Sequence, residues 1–216
     1  MHHPIFWFAT ALLTMFSGLL LSAYYFPGGF DWGYQVASAL MSQKHNPTGG
    51  HWFAAGMCLA MLLLLPYVKT LRRDFPDGGA YLRFLQVGVI FGALMGAERL
   101  FIRDLSHLLY KSHEFIALMT FLGIYIGQLG LLSRAYRQRP QLRLPVLAAA
   151  LPLLGISVTL FYLYLTQRHL GWVNVSWREK GIPIWVSFAF WQWGMITFLW
   201  AGLGVLAFSR KPSNLS

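Results

Sequence analysis

The sequence predicts an all-α integral membrane protein, a single bundle of six transmembrane helices that takes in residues 1–216. Composition is the first reason: 56% of the residues are hydrophobic and only 11% are charged, whereas soluble globular proteins carry about 25% charged residues. The second reason is that the apolar residues fall into six runs, each close to the roughly 20 residues that a helix needs to cross a bilayer.

We predict the six helices at 5–26, 51–68, 82–102, 113–132, 144–165 and 182–208. The first run lacks a basic segment before it and a clear cleavage site after it, so we interpret it as a retained helix and not as a signal peptide. Glycines and the Asn46-Pro47 pair predict a long loop after it, in which 34–41 would form a short helix at the surface. Pro66 is expected to end the second helix, and Pro152 to kink the fifth.

The distribution of basic residues predicts that both termini lie in the cytoplasm. Ten of the 17 Lys and Arg residues fall in 69–83, 134–143 and the C-terminal tail, against seven toward the other side. Positively charged loops stay preferentially in the cytoplasm, and we expect the plasma (inner) membrane of a prokaryote. The net charge of +10 is explained by attraction to anionic lipid headgroups, so membrane lipids and not nucleic acids are the expected partners.

Cys58 is the only cysteine, which excludes an intramolecular disulfide and a cysteine-rich metal site.

Ionisable residues collect at the predicted outer ends of the helices. Such residues are costly at membrane depth and usually face the bundle interior or a wet cavity. We predict His113 and His107 as candidate catalytic bases, with Asp104 and Glu114 as the carboxylates that orient them. The candidate substrate-binding residues are His45, Asn46, His51, Glu98, Arg99 and Arg178.

Simpler explanations remain open for several of these residues. Glu98 with Arg99 or Arg103 would form a charge group that compensates itself near the interface. His51 and His113 would only form hydrogen bonds at the headgroup level.

A metal site is the alternative chemistry that the histidines suggest. For zinc, the imidazoles would come from His45, His51, His107 and His113, and a carboxylate from Asp104 or Glu114. Alternatively, His51 and His113, predicted on different helices at the same depth, would ligate a haem axially. Apart from zinc or haem, the sequence indicates no cofactor.

Three segments carry a resemblance to a known family. They are NPTGGHWFAAG before and into the second helix, HEFIALMTF at the start of the fourth, and WREKGIPIWVSFAFWQW at the start of the sixth. Their order resembles that of a six-helix membrane family of unknown function, which is related to the FGF-receptor-activating-protein and damage-regulated autophagy modulator (DRAM) superfamily. The resemblance implies lipid handling, because a eukaryotic branch remodels the acyl chains of GPI anchors.

We therefore expect a protein that binds or modifies lipid, an acyl chain or a headgroup, at an outer-leaflet polar site. Whether it is an enzyme stays open, since neither a Gly-x-Ser-x-Gly elbow nor a His-Glu-x-x-His motif occurs. The alternatives are a metal or haem protein and a non-catalytic scaffold, sensor or small transporter. Transport is disfavoured because the helix centres are nearly bare of charge.

Overall fold

A computed structural model describes residues 3–42, 44–101, 110–167 and 176–209. Its α-helices in these ranges are α1 (Pro4–Tyr24), α2 (Ala37–Met41), α3 (Gly50–Asp74), α4 (Gly79–Phe101), α5 (Tyr110–Gln138), α6 (Arg143–Gln167), α7 (Ser176–Glu179) and α8 (Phe188–Ala207). Six helical segments, in α1, α3, α4, α5, α6 and α8, are long and apolar enough to cross a membrane. The prediction of an all-α, six-span, multi-pass membrane protein is confirmed.

Two proline turns determine where α3 and α5 end, and both helices run six residues past their predicted ends at 68 and 132. Pro66 lies inside α3 and does not end it; transmembrane helices tolerate proline because neighbouring groups satisfy the freed backbone. Helix α3 continues until Phe75, and α5 continues until Arg139, where the backbone leaves helical geometry. Each of these residues precedes a proline, which disfavours the helical conformation in the residue before it.

The buried Arg139 side chain joins the two proline turns. Its guanidinium donates to the carbonyl oxygen of Asp74 at 3.1 Å and lies 4.7 Å from the centre of the Phe75 ring. Burial lowers the pKa of Arg139 below its ordinary value, and the Asp74 charge opposes that shift. Arg139, one of the basic residues that follow α5, therefore has a structural role, because it connects the end of α5 to the end of α3.

The long loop after α1 is folded into the protein. The predicted helical turns in 34–41 exist as α2, but they are buried and not at the surface, since Ala39 is 2% exposed and Leu40 is fully buried. Helix α2 packs against α1 and α3. Near the last span, Pro183 and a 3₁₀ turn at Ile184–Val186 delay the start of α8 from the predicted residue 182 to Phe188.

Glycines allow successive helices to approach each other closely. A Cβ atom on Gly88 of α4 would lie 2.5 Å from the backbone nitrogen of Ile124 in α5, and one on Gly96 would lie 2.6 Å from backbone atoms of Ala54 and Cys58 in α3. Gly18 of α1 is similarly placed against Gly56 of α3. Small residues have this role in membranes because lipid supplies no hydrophobic force between helices. The α4 glycines therefore serve close packing of α4 against α3 and α5.

The six spans alternate in direction, so that the bundle has two distinct ends. The basic end holds Pro4, Asp74, Gly79, Gln138, Arg143 and Ala207; the loop end holds Tyr24, Gly50, Phe101, Tyr110, Gln167 and Phe188. Helices α1, α3, α4 and α5 pack in chain order, whereas α6 packs mainly on α8, and α8 also contacts α5 and α1. Helix α6 is the least buried of the six spans.

We predict opposite effects for two Gly→Ala substitutions in spanning helices. Gly88→Ala should lower the free energy of unfolding by about 1–3 kcal/mol, because the methyl group overlaps the α5 backbone. Gly155→Ala in α6 is the matched control: nothing lies within 4 Å of its Cβ position, and alanine favours a helix over glycine by up to about 1 kcal/mol. Thermal unfolding in detergent measures both. Equal stability of the two variants would contradict the assigned α4–α5 contact.

Candidate functional site

The last turn of α4 and the first turn of α5 bring two ionisable side chains together at the loop end. His113 Nδ1 lies 3.3 Å from Glu98 Oε2, and the two side chains are 18% and 14% exposed. The distance is longer than the 2.7–2.9 Å of a tight charge-assisted hydrogen bond. The two residues are 15 apart in sequence, and they meet because α4 and α5 run antiparallel.

Further charges surround this pair. Arg99 and Glu114 lie close enough to interact electrostatically with His113, and the Glu114 side chain is exposed. The carboxylate in contact with His113 is Glu98, which the sequence suggested as a substrate-binding residue, and the orienting role of Glu114 stays a prediction. Asp104 and His107 lie outside the described residues, in the connection 102–109 between these helices, and their catalytic roles stay predictions.

The contact with Glu98 determines which His113 nitrogen can accept a proton. In a neutral imidazole one nitrogen carries hydrogen and the other a lone pair. An Nδ1–H that donates to the Glu98 carboxylate leaves the lone pair on Nε2. This is the arrangement in which a carboxylate orients a histidine to act as a general base.

Asn46 lies at the centre of a buried polar network. Its Nδ2 donates to the carbonyl oxygen of Ser22 and to Ser22 Oγ, both at 2.9 Å, and to the carbonyl oxygen of Leu40 at 3.1 Å. Its Oδ1 accepts the backbone N–H of Gly49 at 3.0 Å. Asn46 and Ser22 are fully buried. The Asn46 side chain thus ties the end of α1, the end of α2 and the turn before α3 together, which supports a structural role.

The two histidines beside Asn46 are placed differently. His45 lies exposed in the turn, and His51 is exposed at the start of α3 with its ring 4.9 Å from that of Trp52. In the described part of the chain, no group of three or more His, Cys, Asp and Glu side chains is placed to hold a metal ion. The metal role of His51 with His113 stays a prediction.

Arg178, another predicted substrate-binding residue, forms an ion pair across the loop end. Its Nε lies 2.8 Å from Asp31 Oδ2 and its second guanidinium nitrogen 3.0 Å from Asp31 Oδ1. The guanidinium also lies 5.6 Å from the centre of the Tyr34 ring. This two-point contact joins the loop after α1 to α7. The Arg178 side chain is 65% exposed in spite of this ion pair.

Sequence reasoning missed the contacts that hold the loop after α1 on α8 and on the segment just before α8. The Tyr34 hydroxyl donates to the carbonyl oxygen of Ile182, Trp193 Nε1 donates to that of Gln35 at 3.0 Å, and Gln192 Oε1 accepts the N–H of Ala37 at 2.8 Å. These partners lie about 150 residues apart in sequence. No local sequence pattern predicts pairs so far apart. The only related signal in the sequence is that both segments are rich in Trp and Tyr.

The chain was also compared with known proteins. No family model, no curated protein and no solved structure matches it. The resemblance to the DRAM-related family stays a prediction.

We predict that Asn46→Ala destabilises the loop end. The substitution removes every partner that the Asn46 amide supplies to buried backbone groups of Ser22, Leu40 and Gly49, and a buried polar group left unsatisfied costs about 1–3 kcal/mol. Thermal unfolding in detergent measures the change. Thr48→Ala is the control, because Thr48 is exposed and its hydrogen bond to the Tyr25 carbonyl is long, at 3.5 Å. Unchanged stability of Asn46→Ala would show that the network is not structural.

Proposed function

We propose that this multi-pass membrane protein binds a lipid headgroup at its loop end, with Glu98 and His113 as the acid–base pair of the site. The observation that carries the proposal is the contact between these two ionisable side chains at the ends of spanning helices. Ionisable residues within transmembrane segments are rare and mark functional sites by default. The resemblance of the three sequence segments to a lipid-related family supports the same class of function.

The charges around the pair suit a phospholipid headgroup. Arg99, next to Glu98 in sequence and within electrostatic reach of His113, would attract the phosphate, and arginine binds phosphate oxygens through two parallel N–H groups. His113 Nε2, oriented by Glu98, would accept a hydrogen bond from a headgroup hydroxyl. Whether an acyl group is also transferred or hydrolysed depends on the connection 102–109, which carries Asp104 and His107.

For the orientation we propose that the basic end faces the cytoplasm and the loop end faces outward, in the plasma membrane of a prokaryote. The excess of Lys and Arg at the basic end supports this orientation through the positive-inside rule. The headgroup site would then serve lipids of the outer leaflet.

The headgroup site predicts that His113→Gln and Glu98→Gln lose bound lipid. His113→Gln removes the nitrogen that would bind the headgroup, and Glu98→Gln removes the carboxylate that orients it. Hydrogen bonds to charged groups contribute about 1.5–3 kcal/mol, so phospholipid affinity should fall about tenfold or more. The measurement is quantitative mass spectrometry of phospholipids that copurify with detergent-solubilised protein, followed by rebinding of phosphatidylethanolamine and phosphatidylglycerol.

Glu179→Gln is the matched control for this experiment, since Glu179 is an exposed carboxylate of the same end. The proposal fails if all three variants retain the same lipid as the unchanged protein. Near-stoichiometric zinc or haem iron that disappears in His113→Gln would instead support the metal site.

The orientation has its own test through cysteine labelling in intact cells. Cys58 is the only cysteine, so Cys58→Ser provides a background without thiols. In that background, Lys180→Cys should react with a membrane-impermeant maleimide from outside, and Arg83→Cys should react only after permeabilisation. The reverse pattern would place the loop end in the cytoplasm.

A further inference from the structure

An apolar groove runs along the basic half of the bundle, between α1 and α8 and next to the start of α6. Its volume is about 840 Å³, within the roughly 300–1,000 Å³ of pockets that hold small ligands. Trp200 of α8 forms the floor, with Phe8 and Phe16 of α1 packed at ring-centre distances of 6.1 and 6.5 Å. Leu13 and Phe208 lie on the rim and are 69% and 64% exposed, so the groove opens toward the lipid that surrounds the helices.

The length of the groove matches one leaflet of a bilayer. On α8 its lining extends from Thr197 to Phe208, which at 1.5 Å per residue is about 16 Å. Half of a hydrocarbon core of about 30 Å is about 15 Å. Phe208 follows the last residue of α8 at the basic end, and Thr197 lies near the middle of that helix. The groove thus extends from the basic end to about the bilayer centre.

The groove walls are almost entirely hydrocarbon. Thr197 and the Trp200 indole carry the side-chain polar atoms among the lining residues, and the Thr197 hydroxyl donates to the carbonyl oxygen of Trp193 in its own helix at 2.9 Å. Gly204 adds depth, because a Cβ atom there would lie 3.2 Å from the Phe8 ring. An occupant would therefore place an alkyl chain in the groove and its polar part beyond it.

Exposed positive charge lies at the end of the bundle where the groove begins. Leu142 and Pro145 line the groove at the start of α6, and the exposed Arg143 lies between them in sequence. Exposed cations surround this end in the described chain: Lys69, Arg72, Arg73, Arg83, Arg137 and Arg143, against Asp77 as the exposed acid. Basic residues at a membrane surface attract anionic headgroups by about 1 kcal/mol each.

We propose that this groove binds an acyl chain of an anionic phospholipid that belongs to the leaflet at the basic end. The groove supplies the apolar walls for the chain, and Arg143 with its basic surroundings supplies the complement for the headgroup. This site lies at the other end of the bundle from Glu98 and His113, and it does not depend on the proposed headgroup site.

Photocrosslinking with a defined lipid tests the proposal. The full chain is placed in phosphatidylcholine nanodiscs that contain a small fraction of phosphatidylglycerol with a diazirine in one acyl chain. After irradiation, mass spectrometry of peptides maps the adducts. We expect adducts on the groove residues of α1 and α8, and we expect Ala201→Trp, which fills the groove, to remove them. Ala148→Trp is the matched control, since Ala148 is an exposed alanine of α6 outside the groove.

A second pair of variants covers the case in which Ala201→Trp does not fold. Leu13→Trp changes the groove rim, and Leu20→Trp makes the same change on an exposed site of α1 near the loop end. Groove adducts should fall with Leu13→Trp and persist with Leu20→Trp. They should also persist with His113→Gln, which separates this site from the headgroup site.

Phosphatidylcholine with the same diazirine tests the choice of headgroup. Phosphatidylglycerol should label the groove more strongly, and Arg143→Gln should lower the ratio of the two by about fivefold, as expected for the loss of one cation near an anionic headgroup. Equal labelling by both lipids would overturn the anionic assignment. Adducts spread evenly over all six spans, or unchanged by Ala201→Trp and Leu13→Trp, would overturn the site.

Discussion

The structure depends on one constraint: a polar group inside the bilayer must find its partner within the protein, because lipid offers none. The Tyr67 hydroxyl, fully buried in α3, donates to the carbonyl oxygen of Leu203 in α8 at 2.6 Å. Asn46 and Ser22 satisfy each other and the end of α2. Membrane-facing threonines such as Thr159 return their hydroxyls to their own helix. The Glu98 carboxylate and the His113 imidazole, which α4 and α5 bring together at the loop end, follow the same rule with two ionisable groups.

The same environment explains why the bundle is tight on one side and open on the other. Apolar side chains gain nothing by leaving lipid for each other, so helices associate where small residues allow close contact. Such residues join α1 to α3, α3 to α4 and α4 to α5, as Gly56, Gly96 and Gly123 show. Between α1 and α8 the contact is made by bulky rings, Phe8 and Phe16 on Trp200. The apolar groove lies beside this contact, and the three rings are among its lining residues.

Much of this fold could be predicted from the sequence, because a bilayer imposes length and apolarity on each span, and both can be counted. Helix ends were harder: Pro66 suggested the end of α3, but bundle packing tolerates a proline within a span, and α3 ends only before Phe75 and Pro76. Glu98 and His113 were identified singly, but their pairing is a tertiary contact. The groove gave no signal, because Leu13 on its rim has the same chemistry as any lipid-facing leucine. Asp31 and Arg178 are 147 residues apart, too far for local patterns.

The positions of the two proposed sites imply two populations of bound lipid. The acid–base pair lies at the loop end, where α4 ends and α5 begins, whereas the groove starts at Phe208 at the basic end and extends about 16 Å inward. A phospholipid whose headgroup contacts His113 has its chains in the half of the bilayer next to the loop end, about 15 Å deep. Those chains reach the bilayer centre, where the groove has its inner end near Thr197. One lipid therefore cannot place its headgroup at His113 and its chain along Trp200 in the orientation that the basic mouth favours, and each leaflet would contribute its own ligand.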